Sequence, residues 1–259
     1  MIRVVVGGAT GKLGSLVCEH VVADAELELA GAMVSASGGN VGKELHPGVL
    51  AFAPDELERR LEDADVYVDL TSPTAAADNV TKVPATGTAM VIGTTAIADE
   101  VIQRLSDEAE ASGSPVLLSA NFALGVNVFW KACEMLAAAL PDYDFEMVEM
   151  HHNQKKDAPS GTAVKAIEAV QRGADVSGTV HGREGISGPR GKEIGVHALR
   201  AGDIVGEHTL LIAGNMERLE ITHRAISREA FARGCIASVK WIAGRKEGRI
   251  HQMNEVLGL

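Results

Sequence analysis

Apolar positions follow two rhythms along the chain, and the change comes near residue 120. Ile2–Val6 is a continuous, β-branched run closed by Gly7-Gly8, the pattern of a strand buried on both faces. Lys12–Ala23 then carries Leu13, Leu16, Val17 and Val21 at helical spacing. Further strands are predicted at Leu27–Val34, Val66–Leu70, Ala89–Ile92 and Pro115–Leu118, and further helices at Asp55–Glu62, Ala75–Val83 and Asp99–Ala111. Acids open the last helix, where they suit its dipole. Ser35–Gly48, rich in Ser, Gly and Asn, reads as a loop. Strands alternating with helices imply a parallel sheet with right-handed crossovers.

After a helix at Val126–Leu140, ended by Pro141, the alternation stops. A strand is predicted at Phe145–Met150 and a helix at Gly161–Arg172. Gly-rich loops follow at Gly173–Gly178 and Gly182–Gly191. Strands come next at Ile194–Arg200, His208–Ala213 and Glu217–Arg224, with a hairpin turn at Gly214-Asn215, and then a helix at Arg228–Ile242. The chain is therefore read as α/β. A parallel-sheet domain spans residues 1–122 and is rejoined by 228–259, and residues 123–227 form a second, α+β domain.

Composition narrows the function classes. Lys+Arg number 24 and Asp+Glu 35, a net charge of −11, which argues against nucleic acid as a partner. The 46% hydrophobic and 23% charged residues are an ordinary globular mix, and with 3% aromatic the core falls to Val, Ile, Leu and Ala. Cys18, Cys133 and Cys235 are scattered, with no C-x-x-C, which fits a reducing cytosol better than disulfides or zinc. The opening MIRVVVGGATG reads as too short and glycine-rich for a signal peptide, and no apolar run approaches the ~18 residues of a membrane span. The expectation is a soluble, cytoplasmic protein with no membrane partner.

The 28 glycines need a backbone reason, and two segments carry chemistry. The first is Gly8-Ala9-Thr10-Gly11-Lys12-Leu13-Gly14, between the first strand and the first helix. It reads G-x-x-G-x-x-G, with Ala9 in place of the first glycine of a strict G-x-G-x-x-G. Glycine lets backbone N–H groups approach a pyrophosphate at a helix start, so the loop is read as a dinucleotide site rather than a tight turn without a ligand. The acid expected ~20 residues further on, which would hold the ribose 2′-OH, is missing. Val34-Ser35 stand there, Glu44 lies later, and Ser35, Ser37 and Lys43 are candidates to meet a 2′-phosphate.

The second segment is Glu149–Thr162. His151 and His152 end a strand, Lys155 and Lys156 follow, and Ser160-Gly161-Thr162 opens a helix. This reads as an anion pocket with proton donors: a capped helix start for a carboxylate, a fixed positive charge, and histidine for proton transfer near neutrality. The plainer alternative is a solvated loop with an ordinary N-cap. A metal site is disfavoured, because no Cys, Asp or Glu joins the histidines at ligand spacing. His223 is read as a satisfied structural histidine and Arg200–Thr209 as structural or oligomeric.

With these residues in view, the chain resembles the dihydrodipicolinate reductase family over nearly its whole length. The resemblance rests on Gly8–Gly14, Gly93-Thr94-Thr95, Ser119-Ala120-Asn121-Phe122, His151–Thr162, Arg200–Thr209 and Glu220–Ala225. It implies a Rossmann-type cofactor domain and a second α+β domain for substrate and oligomerisation. It implies NADPH or NADH on Gly8, Ala9, Thr10, Gly11, Lys12 and Leu13, with Gly93, Thr94, Thr95, Ser119, Ala120, Asn121 and Phe122 holding the nicotinamide end. It implies His151 and Lys155 as catalytic groups, and His152, Ser160, Gly161 and Thr162 as seats for a small dicarboxylate. Lys156 has no assigned role. The implied activity is reduction of 4-hydroxy-tetrahydrodipicolinate in the diaminopimelate route to lysine, by a homotetramer. Val34-Ser35 departs from the acid–arginine pair that members often carry there. Two other readings stay open: another two-domain dehydrogenase of amino or imino acids, and a cofactor sensor without turnover.

Overall fold

In a computed structural model, which describes residues 1–259, the chain divides into two compact units, Met1–Leu124 with Glu229–Leu259, and Gly125–Arg228. The first begins β1 (Ile2–Gly7), α1 (Gly14–Ala23), β2 (Leu27–Met33), β3 (Glu44–His46), β4 (Val49–Phe52), α2 (Leu57–Leu61), β5 (Val66–Asp69), α3 (Pro73–Asn79), β6 (Ala89–Ile92), α4 (Asp99–Ser112) and β7 (Val116–Leu118). The second contains α5 (Leu124–Ala139, whose first residue belongs to the first unit), β8 (Asp144–His151), α6 (Gly161–Gly173), β9 (Thr179–His181), β10 (Ile194–Arg200), β11 (Gly206–Gly214) and β12 (Glu217–Ala225). The chain then returns to the first unit with α7 (Glu229–Ile242), β13 (Ile250–His251) and α8 (Met253–Leu257).

The first unit is an eight-stranded sheet in the order β13-β7-β6-β5-β1-β2-β4-β3, parallel apart from the β3–β4 hairpin. Its centre is buried on both faces, as the continuous apolar run in β1 requires. Val4 and Val6 face one core with Val17, Val21, Cys235 and Val239. Val5 faces the other with Leu57, Val80, Met90 and Leu105. The chain leaves β1 in one direction to β2 and later returns to its other side as β5, the crevice where open α/β sheets bind ligands.

The second unit is a five-stranded mixed sheet, β12-β11-β8-β10-β9. Phe145, Met147, Ile194, Val196, Leu210 and Ile212 turn to one face and bury against Ala163, Ile167 and Val170 of α6 and Phe129 and Cys133 of α5. In this register Glu149 lies opposite His208, and His208 opposite His223.

The α/β class and the helix–strand order agree with the sequence pattern, with local differences. Part of the stretch read as a Ser35–Gly48 loop is strand: β3 holds Glu44–His46, and β4 follows just beyond it. Both are too short to show a period. β9, β13 and α8 escape for the same reason. Helix α1 starts at Gly14 rather than Lys12, because Gly11 N–H closes a turn on Gly8 O (2.8 Å). The hairpin turns at Asn215 and Met216, both at positive φ. No helix is long and apolar enough to cross a membrane.

Candidate active site

The glycine loop leaves β1 with main chain where side chains would not fit. Gly8 has φ +77°, and a Cβ on it would stand 2.3 Å from Leu70 O. A Cβ on Gly14 would stand 2.1 Å from Gly8 O, so α1 comes down tightly on the turn. No side chain caps α1 and no acid lies in its first turn, which leaves the helix start suited to an anion. Ala9 is buried with its N–H on Met33 O (3.1 Å), while Thr10 and Lys12 are exposed and Leu13 packs on the core.

The other expected cofactor residues lie at the same edge, after β6 and β7. A Cβ on Gly93 would meet the Phe122 ring at 2.4 Å, so the two loops are fitted to each other. Ser119 Oγ donates to Asn121 O (2.8 Å) and Asn121 Oδ1 accepts from Ala123 N–H (2.9 Å), which shapes the stretch through Ala120. Thr94 Oγ1 donates to Asp69 Oδ1 (2.6 Å) and accepts from Thr71 N–H (2.9 Å), and Thr95 is exposed. Asp69 is fully buried and also accepts from Tyr67 OH (2.7 Å) and Thr71 Oγ1 (2.7 Å). It organises the loops after β5 and β6, and only its place at the end of a predicted strand hinted at this. The residues therefore fit a dinucleotide: an uncapped helix start, a cradle that a Cβ would fill, and two loops fitted to each other beside it.

In the second unit, β8 ends at His151 and α6 begins at Gly161, with Ser160 as N-cap. Ser160 Oγ accepts from Ala163 N–H (3.2 Å) and lies 2.9 Å from His208 Nε2. Thr162 O accepts from Trp130 Nε1 (2.9 Å), tying the first turn of α6 to α5. Gly161 faces open space, with nothing within 4 Å of an added Cβ. Lys155 donates to both oxygens of Asp157 (2.8 and 2.7 Å), His152 stands beside His151, and Lys156 is exposed.

Glu149 joins these pieces. Its carboxylate is fully buried, yet four donors reach it: His151 Nδ1 (2.6 Å), Arg200 Nη1 and Nη2 (2.8 Å each) and Ser160 N–H (3.0 Å). Burial opposes its charge, but the hydrogen bonds from His151 and Arg200 outweigh that and hold the carboxyl down at about 2. His208 is pushed the other way. Burial, and then the neighbouring His151, lower it to about 3, so it is a neutral partner for Ser160 at physiological pH.

One sequence expectation needs correction. Arg200 and His208 lie in the run read as structural or oligomeric, and their contacts are structural ones beside the expected site: one clamps Glu149, the other bonds the helix cap. His223, read as satisfied, has a buried Nδ1 without a partner, and its ring lies 6.5 Å from that of His208. Glu149, Arg200, His208 and Asp69 were missed as site residues. The first three pair across 48 to 51 residues, a separation that no local motif displays.

Comparison with known proteins agrees over the full length. The family model described as "Dihydrodipicolinate reductase, N-terminus" matches residues 2–122, and that described as "Dihydrodipicolinate reductase, C-terminus" matches residues 125–257. The chain is 41% identical to a protein of Methanosarcina mazei named 4-hydroxy-tetrahydrodipicolinate reductase, with 100% of each covered. It is 40% identical to the like-named protein of Methanocaldococcus jannaschii, covering 100% of this chain and 98% of that one. A solved structure of a dipicolinate-bound dihydrodipicolinate reductase from Paenisporosarcina sp. matches with a TM-score of 0.83 at 27% identity, covering 98% of each chain. A DAP dehydrogenase of C. glutamicum shares the fold, with a TM-score of 0.59 at 15% identity over 98% of this chain and 93% of that one.

Proposed function

The chain belongs to the dihydrodipicolinate reductase family, and from that premise we propose that it reduces 4-hydroxy-tetrahydrodipicolinate to tetrahydrodipicolinate on the diaminopimelate route to lysine. The nicotinamide cofactor, when bound, supplies hydride. The chain's own residues bind, orient and deliver a proton. The observation that carries this reading is Glu149, buried, joining a histidine ring to the capped start of α6.

The helix start at Ser160-Gly161-Thr162 seats one substrate carboxylate, with its dipole and the open space at Gly161 in favour. His152 pairs with the dicarboxylate beside it. The 4-hydroxyl leaves as water, which conjugates the ring, and hydride delivered to one carbon of that ring leaves electron density at a neighbouring position, where a proton is added. Lys155 and His151 are the proton donors there; Asp157 holds the Lys155 ammonium in place, and Glu149 holds the His151 ring.

In the first unit, Gly8–Leu13 receive the pyrophosphate, and Gly93–Thr95 with Ser119–Phe122 border the nicotinamide end. Both NADH and NADPH serve, with NADPH at least as good, since no acid stands at Val34-Ser35. The protein works in the cytoplasm, where its three buried cysteines stay reduced. It assembles as a homotetramer. The half-exposed Val148, Met150, Thr209 and Leu211 line the sheet face opposite the helices and support this. Light scattering reads that state directly, as four times the chain mass of 27.1 kDa. The activity test is loss of nicotinamide absorbance on adding enzymatically generated 4-hydroxy-tetrahydrodipicolinate. No change with either cofactor refutes the proposal.

A further inference from the structure

We propose that Glu149 and Arg200 act as a positioning pair: they hold a proton on Nδ1 of the His151 ring, leave Nε2 as the nitrogen that takes up and then delivers the transferred proton, and tie that ring to the start of α6. The inference rests on the reading of His151 as a proton donor and adds what sets its tautomer.

Hydrogen-bond counting leads to it. An ionised carboxylate only accepts, so whatever faces it must donate. Arg200 lays a fork across both Glu149 oxygens, and Ser160 N–H takes one of them. Neither a guanidinium nor a backbone N–H can turn into an acceptor. His151 Nδ1, 2.6 Å from Oε2, must therefore carry a hydrogen. The other ring nitrogen lies beside Gly206, where a Cβ would come within 3.0 Å of Nε2.

Arg200 does more than neutralise. Its Nη2 also donates to Asp157 O (2.7 Å), in the loop that carries Lys155. One pair, with Glu149 fully buried and Arg200 partly so, thereby reaches the histidine ring, the lysine loop and the helix start. Such pairs gain little stability over well-packed apolar residues, so a role in fixing one arrangement is the better reason for placing one here. The other titratable group against the ring is His208, whose ring meets it edge-on at 5.2 Å.

Glu149→Gln tests this, because the amide turns one acceptor into a donor. Placed toward Ser160 and Arg200 Nη2, the NH₂ would face two donors that cannot adapt. Placed toward His151 and Arg200 Nη1, it faces one donor that cannot adapt and a ring that can accept on Nδ1 and move its proton to Nε2. Nitrogen-15 spectra of the neutral ring should therefore show Nδ1–H in the wild type and Nε2–H in Glu149→Gln. Turnover should fall by ~100-fold, within the range of lost proton-transfer catalysis, while the cofactor Kd stays within about twofold, as expected for a site that leaves the cofactor residues untouched. Arg200→Lys, which keeps charge but loses the fork, should show a smaller loss in turnover. Unchanged tautomer and turnover in Glu149→Gln overturn the proposal. So does a neutral wild-type ring whose single proton sits on Nε2, a result that needs no variant to fold. His151→Gln separates the two levels: full turnover there would sink the reading of His151, whereas the tautomer spectra judge Glu149 alone.

Discussion

At the edge of the eight-stranded sheet, the groups proposed to meet a ligand are mostly main chain. Gly8, Gly14 and Gly93 each stand where a Cβ would run into a neighbour at 2.1 to 2.4 Å, and α1 starts without a side-chain cap. On the five-stranded sheet, side chains do the work. Glu149, His151, Ser160, Arg200 and His208 form a wired cluster spread over β8, β10, β11 and the start of α6. The difference follows from what each ligand needs. A pyrophosphate needs many weak donors at close range, and backbone supplies them without side-chain entropy. A small substrate that must receive a proton needs titratable groups held in one geometry, and those exist only as side chains.

The strongest way to break that division is to remove the proposed proton donors. His151→Ala and Lys155→Ala should each lower kcat by ~10²–10⁴-fold and leave the cofactor Kd nearly unchanged in a fluorescence titration. Wild-type turnover in both would mean that the side-chain cluster is scaffold only.

The next contrast sets one glycine against another. Gly8→Ala forces a Cβ against Leu70 O at positive φ, so cofactor affinity should fall at least ~10-fold, about 1.4 kcal/mol. A Cβ at Gly161 would meet no heavy atom of the protein within 4 Å, so the fold should accept Gly161→Val. Its effect should appear as a roughly tenfold rise in KM for the dicarboxylate, about the value of one lost contact, with the cofactor KM unmoved. Calorimetry with reduced cofactor and steady-state kinetics read the two arms. Equal effects on both ligands from either change would erase the contrast.

This contrast also explains what the sequence reveals. The glycine loop is contiguous, sits between β1 and α1, and announces itself through residue type alone. His151–Thr162 is contiguous as well, so its histidines, Lys155 and helix cap stand out. Arg200 and His208 do not, because they meet Glu149 and Ser160 only through the register of β8, β10 and β11. Strand pairing is set by burial across the whole sheet rather than by any short window. Asp69 is hidden differently: it looks like the polar end of a buried strand until Tyr67, Thr71 and Thr94 are seen to converge on it.

Acid should loosen the second unit before the first. His208 is depressed to about 3 in the folded protein against 6.5 when free, so the unfolded chain binds its proton first. Its contribution is whole above pH 6.5 and is lost as pH falls toward 3. His223, lowered by burial, acts in the same direction. Glu149, held at about 2 against 4.5, adds a loss only below pH 4.5, and Glu255 at about 2 does the same in the first unit. Between pH 6.5 and 4.5, therefore, hydrogen exchange should quicken in β8, β11 and β12 while β1 and β5 keep their protection. Exchange that quickens equally in both sheets would contradict these assignments.

The smallest expected effect concerns cofactor choice, and it tests whether the first unit is as free of side-chain recognition as its glycines suggest. Selection of NADH over NADPH ordinarily uses an acid after β2 that accepts from the 2′-OH and repels a phosphate. Val34 there is buried with its N–H on Phe52 O (2.9 Å), and Ser35 is exposed with its Oγ 3.1 Å from Ser37 Oγ. Glu44, the nearest later acid, accepts from Gly48 N–H (2.7 Å) across its own hairpin and is spoken for. The charges at hand are Lys12, exposed on the glycine loop, and Lys43, resting on Asn40 Oδ1 (3.2 Å). Two lysines and two serines attract a phosphate without the bidentate grip of an arginine. The ratio of kcat/KM for NADPH to that for NADH should therefore lie between about 1 and 10, a span of no more than about 1.4 kcal/mol. It should fall toward 1 as salt screens the lysines. Lys43→Ala should remove most of the salt dependence and leave NADH kinetics alone. A preference for NADH beyond ~100-fold, about 2.7 kcal/mol, would mean that Glu44 leaves Gly48 for the ribose, and that a side chain decides recognition in the unit where main chain otherwise does.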